Sequence, residues 1–163
     1  MPEQTTEAPA GAPPSREALD RYARGFNESH IAASLSATLS FPEPADRVLV
    51  RVDPVLPFHR GGMGTDAING GMLAALFDFV IGTTPALVDP TRRSATMQLN
   101  ITFEQPVKGD WFIAEGRIDR AGASTIFASA VVKDSSGAIC SRCSGMAKLG
   151  RQPWPAGGQN EAK

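Results

Sequence analysis

The spacing of apolar residues predicts a helix followed by two strands at the start of the folded chain. Leu19, Tyr22 and Phe26 recur at helical spacing after Ser15, a favoured N-cap residue, and indicate a short amphipathic helix. From residue 35 onward, apolar and polar residues alternate instead. This alternation predicts two strands, at 35–41 and 48–52, joined through a turn of sequence FPEPAD.

The segment 69–84, NGGMLAALFDFVIGTT, has apolar residues on every side of a helical wheel. A helix of this kind is either enclosed in a protein core or spans a membrane. The segment is short, contains Asp78 and stops at Pro85, which argues against a membrane span. We therefore expect one central helix that the rest of the fold encloses.

The remainder of the chain has the pattern of strands separated by turns. The strands are expected at 96–103, 111–118, 124–133 and 138–149. We expect these four to pair in order, as a meander. Only a strongly curved antiparallel sheet would wrap one apolar helix so completely, so the predicted fold class is α+β.

Composition sets the expected boundaries of the folded unit. The first fourteen residues contain four prolines and too few apolar side chains to offset their ordering entropy. We expect a disordered segment at 1–14, one folded domain at 15–149 and a flexible tail at 150–163, without a repeat of solenoid length.

Charge and cysteine content narrow the class of protein. The 163 residues include 16 Lys+Arg and 17 Asp+Glu, so the net charge is -1. This balance argues against nucleic acid or an anionic membrane as the main partner. Two cysteines and the lack of a signal-peptide pattern indicate a cytoplasmic protein, and two histidines leave little room for a histidine-rich metal site.

Asp78 is the only charged residue of the predicted central helix. Burial of an unpaired carboxylate is costly, so its presence needs an explanation. One interpretation is catalytic. The alternatives are that the helix has a wet edge at a subunit interface, or that Asp78 accepts local hydrogen bonds.

The helix begins with Asn69, Gly70 and Gly71. Asn69 is a favoured N-cap residue, and two glycines leave the first N–H groups of the helix uncovered. Such a helix start can hold a carbonyl oxygen that is becoming negative. The alternative is plain capping together with close packing of the helix on a strand.

Gly70 and Asp78 are eight residues apart, which corresponds to a rise of ~12 Å along a helix. One chain could hardly bring both to the same carbonyl group. A dimer with two such helices side by side could do so, and we therefore expect at least a dimer.

Other candidate residues carry less weight. Cys140 and Cys143 would point to opposite faces of a strand, which disfavours a zinc or redox site. His59 lies in a glycine-rich loop where it could line a site, although a surface histidine is the more ordinary interpretation. His30, near the end of the first helix, is expected to be structural. Arg92 and Arg93 could meet phosphates, although a solvated turn is the default.

The segments MGTDAINGGMLAALFDFVIGTT and TMQLNITFEQPVKGD resemble the hot-dog-fold acyl-CoA thioesterases, in the branch of the phenylacetate-pathway and 4-hydroxybenzoyl-CoA thioesterases. The family pattern is His-Gly-Gly and then an acidic residue on the helix, followed by a strand with Asn, an aromatic residue and Pro. Asn100, Phe103 and Pro106 match that strand. The resemblance covers about 30–149 and implies a hot-dog fold, in which a curved antiparallel sheet wraps one central helix.

The resemblance also implies roles for individual residues. Gly70 matches the glycine whose N–H polarises the thioester carbonyl, and Asp78 matches the base or nucleophile supplied across the dimer. Thr96 matches a position that helps to hold the attacking water. Asn69 stands where the family usually has histidine. The residues expected to contact substrate are Asn69, Gly71, His59, Met63 and Gly64.

The function implied is hydrolysis of an acyl-CoA by a homodimer or a dimer of dimers, without a metal or redox cofactor. A module that binds acyl-CoA without cleaving it is the alternative.

Overall fold

Three helices and six antiparallel strands make up the structure, a computed structural model that describes residues 11–61 and 65–153. The helices are α1 (Arg16–Asn27), α2 (His30–Ser34) and α3 (Gly70–Thr83), with short 3-10 turns at Pro57–His59 and Thr84–Leu87. The strands are β1 (Ala37–Ser40), β2 (Val48–Val52), β3 (Arg92–Phe103), β4 (Phe112–Ala121), β5 (Thr125–Asp134) and β6 (Ile139–Pro153).

Side-chain caps decide where the first helices begin. The Ser15 hydroxyl accepts a hydrogen bond from the Ala18 N–H and starts α1, as the sequence predicts. His30 does not lie in that helix. Ser29 acts as a second N-cap, and His30 opens the separate helix α2.

The six strands form one sheet in the order β1-β2-β4-β5-β6-β3. This order corrects the expected meander, because β3 pairs with β6 and not with β4. The connection 104–111 instead leads from β3 to β4, and β4 pairs with β2. Alternation of apolar residues identifies a strand but not its neighbour, so the sequence pattern does not contain this rearrangement. As a consequence, β3 is an edge strand of the single chain.

Strands β3 and β6 are longer than the pattern predicts. Arg92 pairs with Pro153, so β3 starts before residue 96 and β6 continues beyond residue 149. At the start of β3 and the end of β6, apolar and polar residues no longer alternate regularly, but the backbone pairing of the two strands continues.

The concave side of the sheet encloses α3, as expected. The helix packs against β2, β3, β4, β5 and β6. The side chains of Leu76, Phe77, Val80 and Ile81 are at most 1% exposed. Within the described residues, Gly70–Leu87 is the one segment apolar enough to cross a membrane, and here it is the core helix with the turn that follows it.

Two glycines of the sheet let α3 approach closely. A Cβ atom at Gly116 would lie 2.3 Å from Val80 Cγ1, and one at Gly145 would lie 3.0 Å from Ile81 Cγ2. Both distances are shorter than carbon atoms normally allow, so any side chain there would push the helix off the strands.

The central packing of α3 predicts a large and local stability effect. Phe77 is fully buried, whereas Phe127 on β5 is 38% exposed. We expect Phe77→Ala to lower the free energy of unfolding by about 3–5 kcal/mol, and Phe127→Ala to lower it far less. Denaturant unfolding of both variants measures the difference. Equal losses would contradict a core centred on α3.

Candidate active site

Asn69 fixes the start of α3. Its backbone is extended (φ -62°, ψ 136°), and its Oδ1 accepts a hydrogen bond of 2.8 Å from the Gly71 N–H. Within 11–61 and 65–153, the Gly70 N–H has no hydrogen-bond acceptor. The N-terminus of a helix carries a partial positive charge, so Gly70 presents a donor suited to an oxygen that becomes negative.

An aromatic ring lies beside this donor. A Cβ atom at Gly70 would lie 3.4 Å from Cζ of Phe103, at the end of β3. Phe103 is 54% exposed and so forms a wall of the space in front of the helix. The sequence marks this residue only as part of the family pattern, and its contact with Gly70 depends on the sheet order.

His59 lies on the buried side of the start of α3 and stabilises it. Its carbonyl oxygen accepts a hydrogen bond from the Asn69 N–H, and its Nδ1 accepts one from the Leu56 N–H. The side chain is fully buried, so the interpretation as a surface histidine is wrong. Burial lowers the pKa of His59, which keeps the imidazole neutral. The substrate contact expected of this side chain stays a prediction.

Asp78 lies on the one face of α3 that the sheet leaves uncovered. Its side chain is exposed, and in the described part of the chain its carboxylate forms no hydrogen bond or ion pair. This does not support the interpretation that Asp78 accepts local hydrogen bonds, and the catalytic role and the wet edge at a subunit interface stay predictions. The Thr96 hydroxyl lies next to Asp78 and donates to the main-chain carbonyl of that residue, at 3.2 Å.

The structure brings Asp78 and Thr96 together and keeps both away from Gly70. The helix between Gly70 and Asp78 is continuous, so their separation is ~12 Å along its axis. The Asp78 carboxylate therefore cannot reach a group held by the Gly70 N–H of the same chain.

The edge strand next to these residues exposes two large apolar side chains. Met97, at an irregularity in the pairing with β6, is 58% exposed, and Phe103 lies on the same strand. A long edge strand with exposed apolar side chains is typical of a surface that a further strand covers.

The remaining predicted residues are placed as follows. Gly71 is exposed at the helix start, with its N–H bound by Asn69. Met63 and Gly64 lie outside the described residues. Cys140 and Cys143 are both buried, because an extra residue in β6 opposite Val132 and Lys133 changes the alternation there. Across the described ranges, no three His, Cys, Asp or Glu residues are grouped so as to hold a metal.

Comparison with known proteins gives one family and many similar folds. Residues 66–141, which include Gly70, Asp78 and Thr96, match the family model of the thioesterase superfamily. A search of curated proteins found no match.

Solved structures with the same fold include three bacterial proteins. The PaaI protein of the E. coli phenylacetic acid degradation operon has a TM-score of 0.71 and 16% identity, covering 84% of this chain and 96% of its own. A Shewanella oneidensis protein related to the thioesterase superfamily has a TM-score of 0.71 and 20% identity, with coverages of 82% and 96%. A thioesterase from Haemophilus influenzae has a TM-score of 0.69 and 14% identity, with coverages of 80% and 89%.

The similar structures share the curved six-stranded sheet around a central helix, which is the hot-dog fold, and the matched segment contains the start of that helix and its acidic residue. Over residues 66–141 the chain resembles the thioesterase superfamily, and its described fold is the hot-dog fold of these structures.

Proposed function

We propose that a homodimer of this chain hydrolyses acyl-CoA thioesters. The observation that supports this most directly is that one helix carries both the Gly70 N–H and the exposed Asp78 carboxylate, neither of which has a hydrogen-bond partner among the described residues. The match of residues 66–141 to the thioesterase superfamily supports thioester hydrolysis in general. The proposal includes acyl-CoA as the substrate and the cytoplasm as the location of the protein.

The proposed site is shared between two subunits. Gly70 of one protomer and Asp78 of its partner would face each other if two chains joined along their β3 edges. Edge pairing would also cover Met97 and provide acceptors and donors for the unpaired backbone groups of β3.

The Gly70 N–H would bind the thioester carbonyl oxygen and stabilise the negative charge that develops on it. Asp78 would take a proton from a water molecule, whose oxygen adds to the carbonyl carbon. Alternatively, Asp78 would attack the carbon itself and form an anhydride that water then cleaves. In either case the C–S bond breaks, the thiolate leaves and takes up a proton, and the acyl group departs as a carboxylic acid.

Two neighbouring residues complete the arrangement. Thr96 lies beside Asp78, where its hydroxyl would help to hold the attacking water. Asn69 takes the place of the usual histidine, and its side-chain oxygen is already used for capping. The amide therefore keeps the helix start in position but has no titratable proton to offer near neutral pH. No metal or redox cofactor has a role in these steps.

Replacing Asp78 tests the base or nucleophile. Asp78→Asn keeps the size of the side chain and removes its basicity, so we expect kcat to fall by about 10²–10⁴-fold without loss of folding. Asp119→Asn is the control, because Asp119 is an exposed carboxylate on β4 whose role as acceptor for Ser129 an amide can keep. Free-CoA release from aliphatic and aromatic acyl-CoAs measures both variants.

The outcomes separate the two candidate functions. A folded Asp78→Asn variant with the parent rate would contradict the mechanism. If the parent and the variant both bind acyl-CoA and neither cleaves any, the chain is a binding module.

Replacing Gly70 tests the carbonyl-binding donor. Proline is tolerated at the first position of a helix, and the extended backbone of Asn69 suits a residue that precedes proline. Gly70→Pro thus removes the N–H and keeps the helix start, and we expect kcat to fall by about 10²–10³-fold. Gly70→Ala is the matched control, because it keeps the N–H and its Cβ makes an ordinary contact with Phe103. Equal rates for the two variants would show that the Gly70 N–H does not contribute to catalysis.

Mixing the two defective chains tests the shared site. A mixed dimer of Gly70→Pro and Asp78→Asn chains would contain one site with both residues intact. Random assembly of co-refolded chains should therefore restore roughly a quarter of the parent activity, since half of the dimers are mixed and each has one working site. A mixture as inactive as its separate components would show that both residues act within one subunit.

A further inference from the structure

Two hydroxyl groups on β3 hold that strand against α3. The Thr96 hydroxyl donates to the main-chain carbonyl of Asp78 at 3.2 Å, and the Ser94 hydroxyl donates to the main-chain carbonyl of Gly82 at 2.6 Å. Residues two apart on a strand are separated by about 6.6 Å, and residues four apart on a helix by about 6 Å along its axis. Because these spacings nearly match, the two hydroxyls meet the two carbonyls in register.

Gly82 leaves the space that the Thr96 hydroxyl occupies. A Cβ atom at Gly82 would lie 2.8 Å from Thr96 Oγ1 and 3.9 Å from the main-chain nitrogen of Thr96. The first distance is shorter than real Cβ contacts allow, whereas the second is an ordinary contact. Apart from the helix backbone and the two chain neighbours of Gly82, no other described atom lies within 4 Å of this position. An added methyl group would therefore displace the Thr96 hydroxyl.

The position of Gly82 connects this space to the proposed reaction site. Gly82 follows Asp78 by four residues, so the two lie on the same face of α3. Gly116 and Gly145 differ from Gly82, because a Cβ atom at either would meet an apolar core side chain of α3. At Gly82 the added atom would instead meet the hydroxyl of Thr96, next to the proposed base or nucleophile.

The hydrogen bond to α3 determines what the Thr96 hydroxyl can offer to a water molecule. A hydroxyl has one proton, and the main-chain carbonyl of Asp78 accepts it, so toward other groups Thr96 Oγ1 is an acceptor. A water molecule beside Asp78 would then donate one proton to the carboxylate and the other to Thr96 Oγ1. The lone pairs of the water oxygen would be left for the carbonyl carbon.

We propose that Gly82 is a positioning residue of the reaction, because the space beside its Cα atom lets the Thr96 hydroxyl reach the attacking water. This proposal rests on the proposed function, in which Asp78 acts on a thioester. In this arrangement Gly82 touches neither the water nor the substrate and acts only through Thr96. A side chain at position 82 would therefore impair the reaction while α3 keeps its fold.

Gly82→Ala tests this role. We expect kcat for an acyl-CoA to fall by about 10–100-fold, because the Thr96 hydroxyl is displaced from the attacking water, and we expect KM to change little. Alanine favours a helix more than glycine does, so the variant should stay folded. Ser94→Ala is the matched control, because it removes the other hydroxyl bond between the same strand and helix and leaves Thr96 in place. Its kcat should stay near that of the parent.

A double-mutant cycle shows whether Gly82 acts through Thr96. In the Thr96→Ala background the hydroxyl is already absent, so Gly82→Ala should lower kcat no further. In the Ser94→Ala background, Gly82→Ala should keep its full effect. The proposal is overturned if Gly82→Ala lowers kcat equally in the parent and in the Thr96→Ala background, or if Gly82→Ala alone has the kcat of the parent.

Melting temperatures test the same contact without any activity. Gly82→Ala should raise Tm more in the Thr96→Ala background than in the parent, since only the parent has a hydroxyl within reach of the new methyl group. Equal changes in Tm would show that Gly82 does not place Thr96, whether or not thioesters are cleaved. If the parent cleaves no thioester, the proposed function fails, and the difference in Tm still decides whether Gly82 holds Thr96 beside Asp78.

Discussion

Enclosure of α3 by the sheet is the constraint on which the rest of the structure depends. The helix is apolar on nearly every side, and five strands must curve around it to remove that surface from water. Gly116 and Gly145 permit the close approach that this packing requires. One face of the helix stays uncovered because the sheet is not a closed barrel. That face is where the polar groups of the helix can meet a ligand.

The straightness of α3 then determines how chemistry can be arranged. A continuous helix holds Gly70 and Asp78 at a fixed separation, and no side-chain rotation can bring the carboxylate to the first N–H. In the proposed function, each chain would thus supply two half-sites rather than one whole site. Thr96 belongs with Asp78, and Phe103 belongs with Gly70, because β3 runs along the helix and contacts it at both places. The dimer in the proposed function follows from this geometry as much as from the apolar edge of β3.

Local signals in the sequence predict the elements well and their arrangement less well. Ser15 and Asn69 are N-caps in the structure, because capping depends on the few residues next to it. The position of β3 beside β6 depends on the whole sheet, and alternation in a single strand carries no information about its neighbour. The same reason explains the burial of His59 and the exposure of Asp78. Whether a side chain is buried depends on residues far away in the sequence. The local pattern of apolar and polar residues indicates only which face of its helix or strand the side chain occupies.

The edge strand β3 lies next to each of these features of the structure. Its position leaves one edge of the single chain free, and its Thr96 side chain contacts the uncovered face of α3. Had β3 lain between β2 and β4 instead, both of its edges would be covered. The reordering of one strand therefore accounts for the proposed shared site. It places two exposed apolar side chains and a carboxylate beside one free edge, as a site formed by two chains would require.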